Sequence, residues 1–141
     1  MNVLVSPGPR RGCVAVPSSK SRLHRLLICA ATGMREVRIR CDGIAGDIRA
    51  TADCLNALGA EVEELQPGEL LLQPIRELPD RLCRLPCGES GSTLRFLLPL
   101  VGALGVRAVF LREGRLPQRP MDALLSELCR HGMRVEEQGD T

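Results

Sequence analysis

Pro17-Ser18-Ser19-Lys20-Ser21-Arg22-Leu23-His24-Arg25 is the stretch from which the rest of the chain can be read. Before it, Val14 and Val16 alternate with smaller neighbours, which predicts a strand ending at Pro17. After it, Leu23, Leu26, Leu27, Ala30 and Ala31 recur at helical spacing and form one apolar stripe, from about Ser18 to Ala31. Gly33 follows where helices commonly close. The stretch is therefore a strand-to-helix turn, where free backbone N–H groups and the positive end of the helix dipole favour an anion. Ser18, Ser19 and Ser21 add hydroxyl donors, and Lys20 and Arg25 add charge. The same residues also read as a Ser-capped helix start followed by solvated basic side chains.

Working outward, short extended runs alternate with helical ones. Val37 and Ile39 alternate with Arg38 and Arg40, as in a half-buried strand. A second helix is predicted from near Asp47, with Ile48, Ala52, Leu55 and Leu58 on one face and Gly59 at its end. Val62 lies in a short strand, Pro67-Gly68 turns the chain, and Leu70 to Leu72 forms the next strand. Residues 74–88 read as a connection with little regular structure. A third helix follows Gly88, burying Leu94, Leu97, Leu98, Val101 and Leu104; Pro99 inside it is expected to kink or shorten it. Val106 to Leu111 is a strand, a fourth helix starts at Pro120 and carries Met121, Leu124, Leu125 and Leu128 inward until Gly132, and Val135 begins a last strand. The series is an α/β layout in which a small unit occurs twice, the second copy breaking off at the tail Glu136 to Thr141.

Composition narrows the function classes. The 141 residues suit one domain with its own core, and 44% apolar with 26% charged residues is ordinary for a globular chain. A net charge of +2 implies neither nucleic acid nor an acidic membrane surface. With two Phe and no Trp or Tyr, there is little from which to build base-stacking platforms. No apolar run is long enough for a bilayer span, and Pro7, Pro9, Arg10 and Arg11 do not read as a secretory signal. Seven cysteines at irregular spacing give neither a disulfide framework nor a zinc set, and they read as small apolar fillers, with no metal expected. Lys20 is the only lysine in a chain that otherwise uses Arg. An ammonium is a compact point charge with rotatable donors, unlike the planar guanidinium fork, so its placement in this turn invites a chemical reason.

Two further turns share the character of the first. Gly88-Glu89-Ser90-Gly91-Ser92-Thr93-Leu94-Arg95 sets glycines and hydroxyls before an apolar helix, and Gly91 would let a ligand approach the main chain. It is not a P-loop, since the Gly-Lys-Ser/Thr ending is absent. Arg115-Leu116-Pro117-Gln118-Arg119-Pro120 stands at another strand-to-helix junction, with Arg119 held out of the helix by the following proline and free to aim its fork at a carboxylate or phosphate. Each alone also reads as an ordinary capped start or a surface arginine. Three such turns in repeated units would come to one side of the fold, and the matching ligands are small, phosphorylated and carboxylated.

These three motifs, in this order and at these intervals, resemble the successive N-terminal motifs of the 3-phosphoshikimate 1-carboxyvinyltransferases, or EPSP synthases, of the enolpyruvyl transferase family. Gly46-Asp47-Ile48-Arg49-Ala50-Thr51 and the following Leu58-Gly59-Ala60 share the likeness, which covers nearly all of residues 7–137. The resemblance implies repeated βαβαββ units of an inside-out α/β barrel. It implies transfer of the enolpyruvyl group of phosphoenolpyruvate to the 5-hydroxyl of shikimate 3-phosphate, the step before chorismate in aromatic amino acid synthesis, with no organic cofactor. By position, Lys20 is expected to contact both substrates, Ser21 and Arg25 to hold shikimate 3-phosphate, Gly91 and Arg119 to hold phosphoenolpyruvate, and Arg95 to support the pocket.

The resemblance also implies what this chain lacks. Family members have two domains that close over the substrates, with acid/base carboxylates in later sequence, so no catalytic acid or base is assigned here. Residues 1–17 are expected to be a strand segment packing with the second domain, and residues 18–141 an incomplete first domain, inactive alone. The full-length enzyme is expected to be a cytoplasmic monomer with no nucleic-acid or membrane partner. Glu89 departs from the pattern, standing where many members carry Asn and bringing negative charge beside an anion site. Two other readings are a transferase acting on UDP-N-acetylglucosamine and a non-catalytic anion-binding fragment. The first motif of the former ends in Lys-Asn, whereas Lys20-Ser21 with Arg25 favours the shikimate substrate.

Overall fold

The computed structural model describes residues 2–9 and 11–136. Its elements are α1 (Lys20–Ala31), β1 (Val37–Arg40), α2 (Gly46–Ala57), β2 (Glu61–Gln66), β3 (Glu69–Gln73), β4 (Cys83–Gly88), α3 (Gly91–Leu104), β5 (Ala108–Arg112) and α4 (Asp122–Arg130), with a 3-10 turn at Leu116–Gln118. β3 lies between β1 and β2 and is antiparallel to both, with Ile39 opposite Leu70 and Val62 opposite Leu72. β4 and β5 pair in parallel, Leu85 opposite Phe110, with α3 as the crossover that a parallel pair requires. The order β4–α3–β5–α4 repeats the earlier series in which α1–β1–α2 follows the first turn, so the mixed, incomplete α/β layout is the one expected.

One apolar core joins these pieces. α2 lies against α1, α3, β2 and β4, and α1 also meets β3 and α3. Leu23 and Leu27 of α1, Ile48 and Leu55 of α2, Leu70 and Leu72 of β3, Leu85 of β4, and Leu94 and Leu97 of α3 are all buried in it. Burying each such side chain contributes about 1.5–3 kcal/mol. The helix starts at residues 20, 46 and 91 are thereby drawn together around α2.

Several boundaries differ from expectation. Residues 83–88 form β4, although the 74–88 segment reads as irregular. Cys83, Leu85 and Cys87 are buried while Arg84 and Pro86 are exposed, a period-two pattern obscured by a proline that an edge strand tolerates. Pro99 does not shorten α3, which runs on to Leu104; Pro99 is exposed, so the ring disturbs no core contact. Gly105 ends that helix in the left-handed conformation, at φ 68°. Gly33 does not play this part for α1, because Thr32 closes the helix with its backbone N–H and its hydroxyl on Ile28 O. α4 begins at Asp122 rather than Pro120, after the 3-10 turn has used the preceding residues. β5 starts at Ala108, two residues after the expected Val106. No strand forms at Val14 and Val16, which are 85% and 79% exposed, since no strand partner is offered to them among the described residues. Val135 lies in no regular element, and residues 137–141 of the tail are outside the described residues. Of the seven cysteines, Cys54, Cys83 and Cys87 are buried fillers, but Cys13, Cys29 and Cys129 are exposed.

Leu55→Ala, at a fully buried position, is expected to lower unfolding free energy by about 2–5 kcal/mol in urea titrations. Leu26→Ala, on the expected stripe but 42% exposed, should stay within about 0.5 kcal/mol of the parent.

Candidate functional site

α1 starts at Lys20 because Ser19, in extended conformation, caps it through its side chain, which accepts from Arg22 N. α3 starts at Gly91 in the same way, with Ser90 Oγ accepting from Thr93 N. Neither helix carries an acidic residue in its first turn, so the positive end of each dipole is left without a covalent counter-charge. α2 differs, with Asp47 in its first turn. Lys20 Nζ donates to Asp47 Oδ2 at 2.8 Å, and both side chains are partly exposed. The sole ammonium therefore stands between the starts of α1 and α2, beside an opening of about 450 Å³ bounded by Pro17, Ser18, Asp42 and Ile48.

The expected serines divide their roles. Ser18 Oγ donates to Asp42 Oδ2 and accepts from Asp42 N, both at 3.0 Å, which ties the first turn to the loop before α2. Ser21 Oγ accepts from Arg25 Nη1 at 2.9 Å. The Arg25 guanidinium also lies 5.5 Å from the centre of the Phe96 ring, a cation–π contact that reaches α3. Lys20 and Arg25 leave α1 towards different neighbours, one to α2 and the other to α3.

At Gly91 the second and third motifs meet. A Cβ placed on Gly91 would stand 2.8 Å from an Nη1 atom of Arg119 and 2.8 Å from one of Arg95. The missing side chain is thus the space two guanidinium groups occupy. Arg119 follows the 3-10 turn with φ −78° and ψ 133°, outside any helix, as the proline after it dictates. Arg95 Nη2 donates to Pro120 O at 3.2 Å and so holds that turn against α3. The Glu89 carboxylate lies on Gly114, where a Cβ would collide with it.

Beneath these side chains runs a buried polar chain that periodicity did not reveal. His24 Nδ1 is 2.7 Å from Thr51 Oγ1, Thr51 Oγ1 is 2.8 Å from Thr93 Oγ1, and Thr93 Oγ1 donates to Ser90 Oγ at 2.7 Å. Thr93 Oγ1 also lies 3.2 Å from Asp47 O. All four side chains are buried, and they lock the starts of α1, α2 and α3 to one another. Burial holds the His24 pKa below its ordinary value, with the Asp47 charge opposing that shift and the Lys20 charge adding to it. The available signal was Ser90 three residues before Thr93, a capping spacing, and a His set between Leu23 and Leu27 on the buried stripe.

Among the described residues, no group of His, Cys, Asp and Glu is placed to hold a metal ion, and no helix is long and apolar enough to cross a membrane. A hollow of about 810 Å³ between α3, β5 and α4 is lined chiefly by apolar groups such as Leu98, Phe110 and Leu125 and contains none of the expected binding residues.

Residues 5–141 match the family model described as EPSP synthase (3-phosphoshikimate 1-carboxyvinyltransferase). The chain belongs to the EPSP synthase family. Among curated relatives, a 3-phosphoshikimate 1-carboxyvinyltransferase of Clostridium kluyveri is 37% identical over 120 residues, covering 85% of this chain and 28% of the relative. One of Thermus thermophilus is 38% identical over 136 residues, covering 94% and 32%. A solved EPSP synthase from Acinetobacter baumannii superposes with a TM-score of 0.72 at 23% identity, covering 92% of this chain and 29% of that one, which supports the EPSP synthase fold. The chain spans about 30% of the length of these family members.

The buried chain predicts an acid-side loss of stability. In the unfolded state His24 ionises near pH 6.5, whereas in the fold its pKa is lower. The unfolded state therefore takes up the proton first as pH falls, so stability is full above that value and declines below it. Urea midpoints from about pH 5 to about pH 8 should rise to a plateau near pH 7, and His24→Asn should flatten the slope. Thr51→Val, which removes the partner of both His24 and Thr93, should cost about 1–3 kcal/mol at pH 7.

Proposed function

We propose that this chain is the N-terminal part of an enzyme that transfers the enolpyruvyl group of phosphoenolpyruvate to the 5-hydroxyl of shikimate 3-phosphate and releases phosphate. The observation that carries the reading is the meeting of Gly91, Arg95 and Arg119 at the start of α3. Two guanidinium forks beside the first-turn N–H groups of α3 suit a carboxylate and a phosphate together, the two groups of phosphoenolpyruvate. Arg119 and the Gly91 main chain hold that substrate, and Arg95 fixes the turn that aims Arg119. Ser21 and Arg25, paired with each other, hold shikimate 3-phosphate from α1. Lys20 stands between the two and contacts both anions, giving up its pairing with Asp47 to do so.

Holding both reactants in one geometry lowers the barrier by removing their relative freedom before reaction, and a fixed ammonium steadies charge that builds on the transferred group. The proton transfers of addition and elimination belong to carboxylates in later sequence, so the isolated chain binds weakly and does not turn over. The same reading carries with it a cytoplasmic, monomeric full-length enzyme in the chorismate route, with no cofactor, nucleic acid or membrane partner.

A chimaera tests this directly: the chain replaces the matching N-terminal region of the Thermus thermophilus relative. Phosphate release from phosphoenolpyruvate is expected only when shikimate 3-phosphate is present. Lys20→Ala should lower kcat/KM by about 10²-fold or more, Arg25→Ala should raise KM chiefly for shikimate 3-phosphate, and Arg119→Ala should raise it chiefly for phosphoenolpyruvate. Turnover with UDP-N-acetylglucosamine instead would overturn the substrate assignment, and equal activity of Lys20→Ala would overturn the site.

A further inference from the structure

We propose that Asp47 is the resident counter-ion of Lys20, a positioning residue that parks the ammonium when the site is empty and takes it back when phosphate leaves. The assignment rests on the substrate reading above and adds to it a residue that touches neither substrate.

A carboxylate beside an anion site needs a reason, because it repels what the site attracts. The starts of α1 and α3 carry no acidic residue in their first turns, and of the three helix starts drawn together only α2 carries one. That residue, Asp47, accepts from Lys20 Nζ at 2.8 Å, across 27 residues of sequence. Asp42, a carboxylate that borders the same opening as Lys20, is already engaged by the Ser18 hydroxyl at 3.0 Å. The sole ammonium of the chain is therefore matched to one particular acid.

The two partners differ in freedom. The Asp47 main chain is pinned, its carbonyl lying 3.3 Å from Thr51 Oγ1 and 3.2 Å from Thr93 Oγ1, two buried hydroxyls that offer it a donor. Its short side chain sits at the positive end of α2, which favours a carboxylate whether or not Lys20 is present. Lys20 instead carries a compact charge on a flexible four-carbon stem. When the pair parts, Lys20 is the member that moves, and Asp47 keeps the helix dipole and water. Both side chains are partly exposed, so the pair biases the ammonium by no more than about fivefold. That bias is small enough for two substrate anions to overcome together. It is large enough to help a single released phosphate away, as the ammonium returns to the carboxylate.

The sole lysine supplies its own reporter. In proton–carbon NMR of this chain, the Lys20 ε-methylene gives the one lysine ε signal, and it should shift as inorganic phosphate is added. Asp47→Asn removes the charge and keeps the shape, and at that reporter it should bind phosphate about three- to tenfold more tightly than the parent. Asp47→Glu restores a carboxylate and should return the affinity to within about twofold of the parent. Loss of a merely structural residue would weaken binding, so the sign separates the two roles. Because Thr51 and Thr93 meet the main chain of Asp47, neither substitution removes those contacts. In the chimaera, added phosphate should inhibit Asp47→Asn about three- to tenfold more strongly than the parent. Asp47→Asn binding phosphate no tighter than the parent, or Asp47→Glu behaving like Asp47→Asn, overturns the Asp47 assignment alone. A Lys20 signal that answers phosphate in neither the parent nor Asp47→Asn removes the ligand reading and this assignment together.

Discussion

The contact between Thr51 Oγ1 and Thr93 Oγ1, 2.8 Å long and sealed from solvent, is where the two halves of the described chain are held in register. Thr51 belongs to α2 and the first unit, Thr93 to α3 and the second. A hydroxyl pair in an apolar core is costly unless every hydrogen is placed, and here each is: one partner reaches back to His24 on α1, the other forward to Ser90 and to the main chain of Asp47. Apolar packing around Leu27, Leu55, Leu85 and Leu97 supplies most of the stabilisation but tolerates small sliding movements. Directional bonds of this length do not. They are what converts three packed helices into three helix starts at fixed separation, the geometry on which the proposed substrate site depends.

That constraint explains why the charged residues need little support of their own. Lys20 is drawn to a defined place by Asp47, Arg25 by Ser21 and Phe96, and Arg95 by Pro120 O, while Arg119 lies against the space that Gly91 leaves open. Surface ion pairs such as Lys20–Asp47 contribute little to stability. Their value lies in orientation, since the elements beneath them are already fixed.

Much of this was legible in the sequence, and the parts that were not have identifiable causes. The helices announced themselves through Leu23, Leu27, Leu94 and Leu97, and the turns through Ser19, Gly91 and Arg119, because capping and proline chemistry act over a few residues. β4 was hidden by Pro86 and by two cysteines, which weigh little in an apolar pattern although Cys83 and Cys87 are fully buried. The expected stripe of α2 passes through Ala52, but the buried position is Thr51, a polar residue admitted to the core only because His24 and Thr93 come from elsewhere to meet it. Local pattern cannot disclose a polar residue satisfied by distant partners. The same limit hid Asp47 as the partner of Lys20, a contact 27 residues apart.

The parallel pairing of β4 with β5 carries a kinetic corollary. β2 and β3 can zip together across Pro67-Gly68 as soon as both exist, whereas β4 must wait for the whole of α3 before its partner arrives. Contacts such as Thr51–Thr93 close still longer loops, and loop entropy must be met before such contacts give anything back. From this topology, assembly is expected to run from the β2–β3 hairpin outward, with the end where the starts of α1, α2 and α3 meet the turn before α4 the last to become ordered.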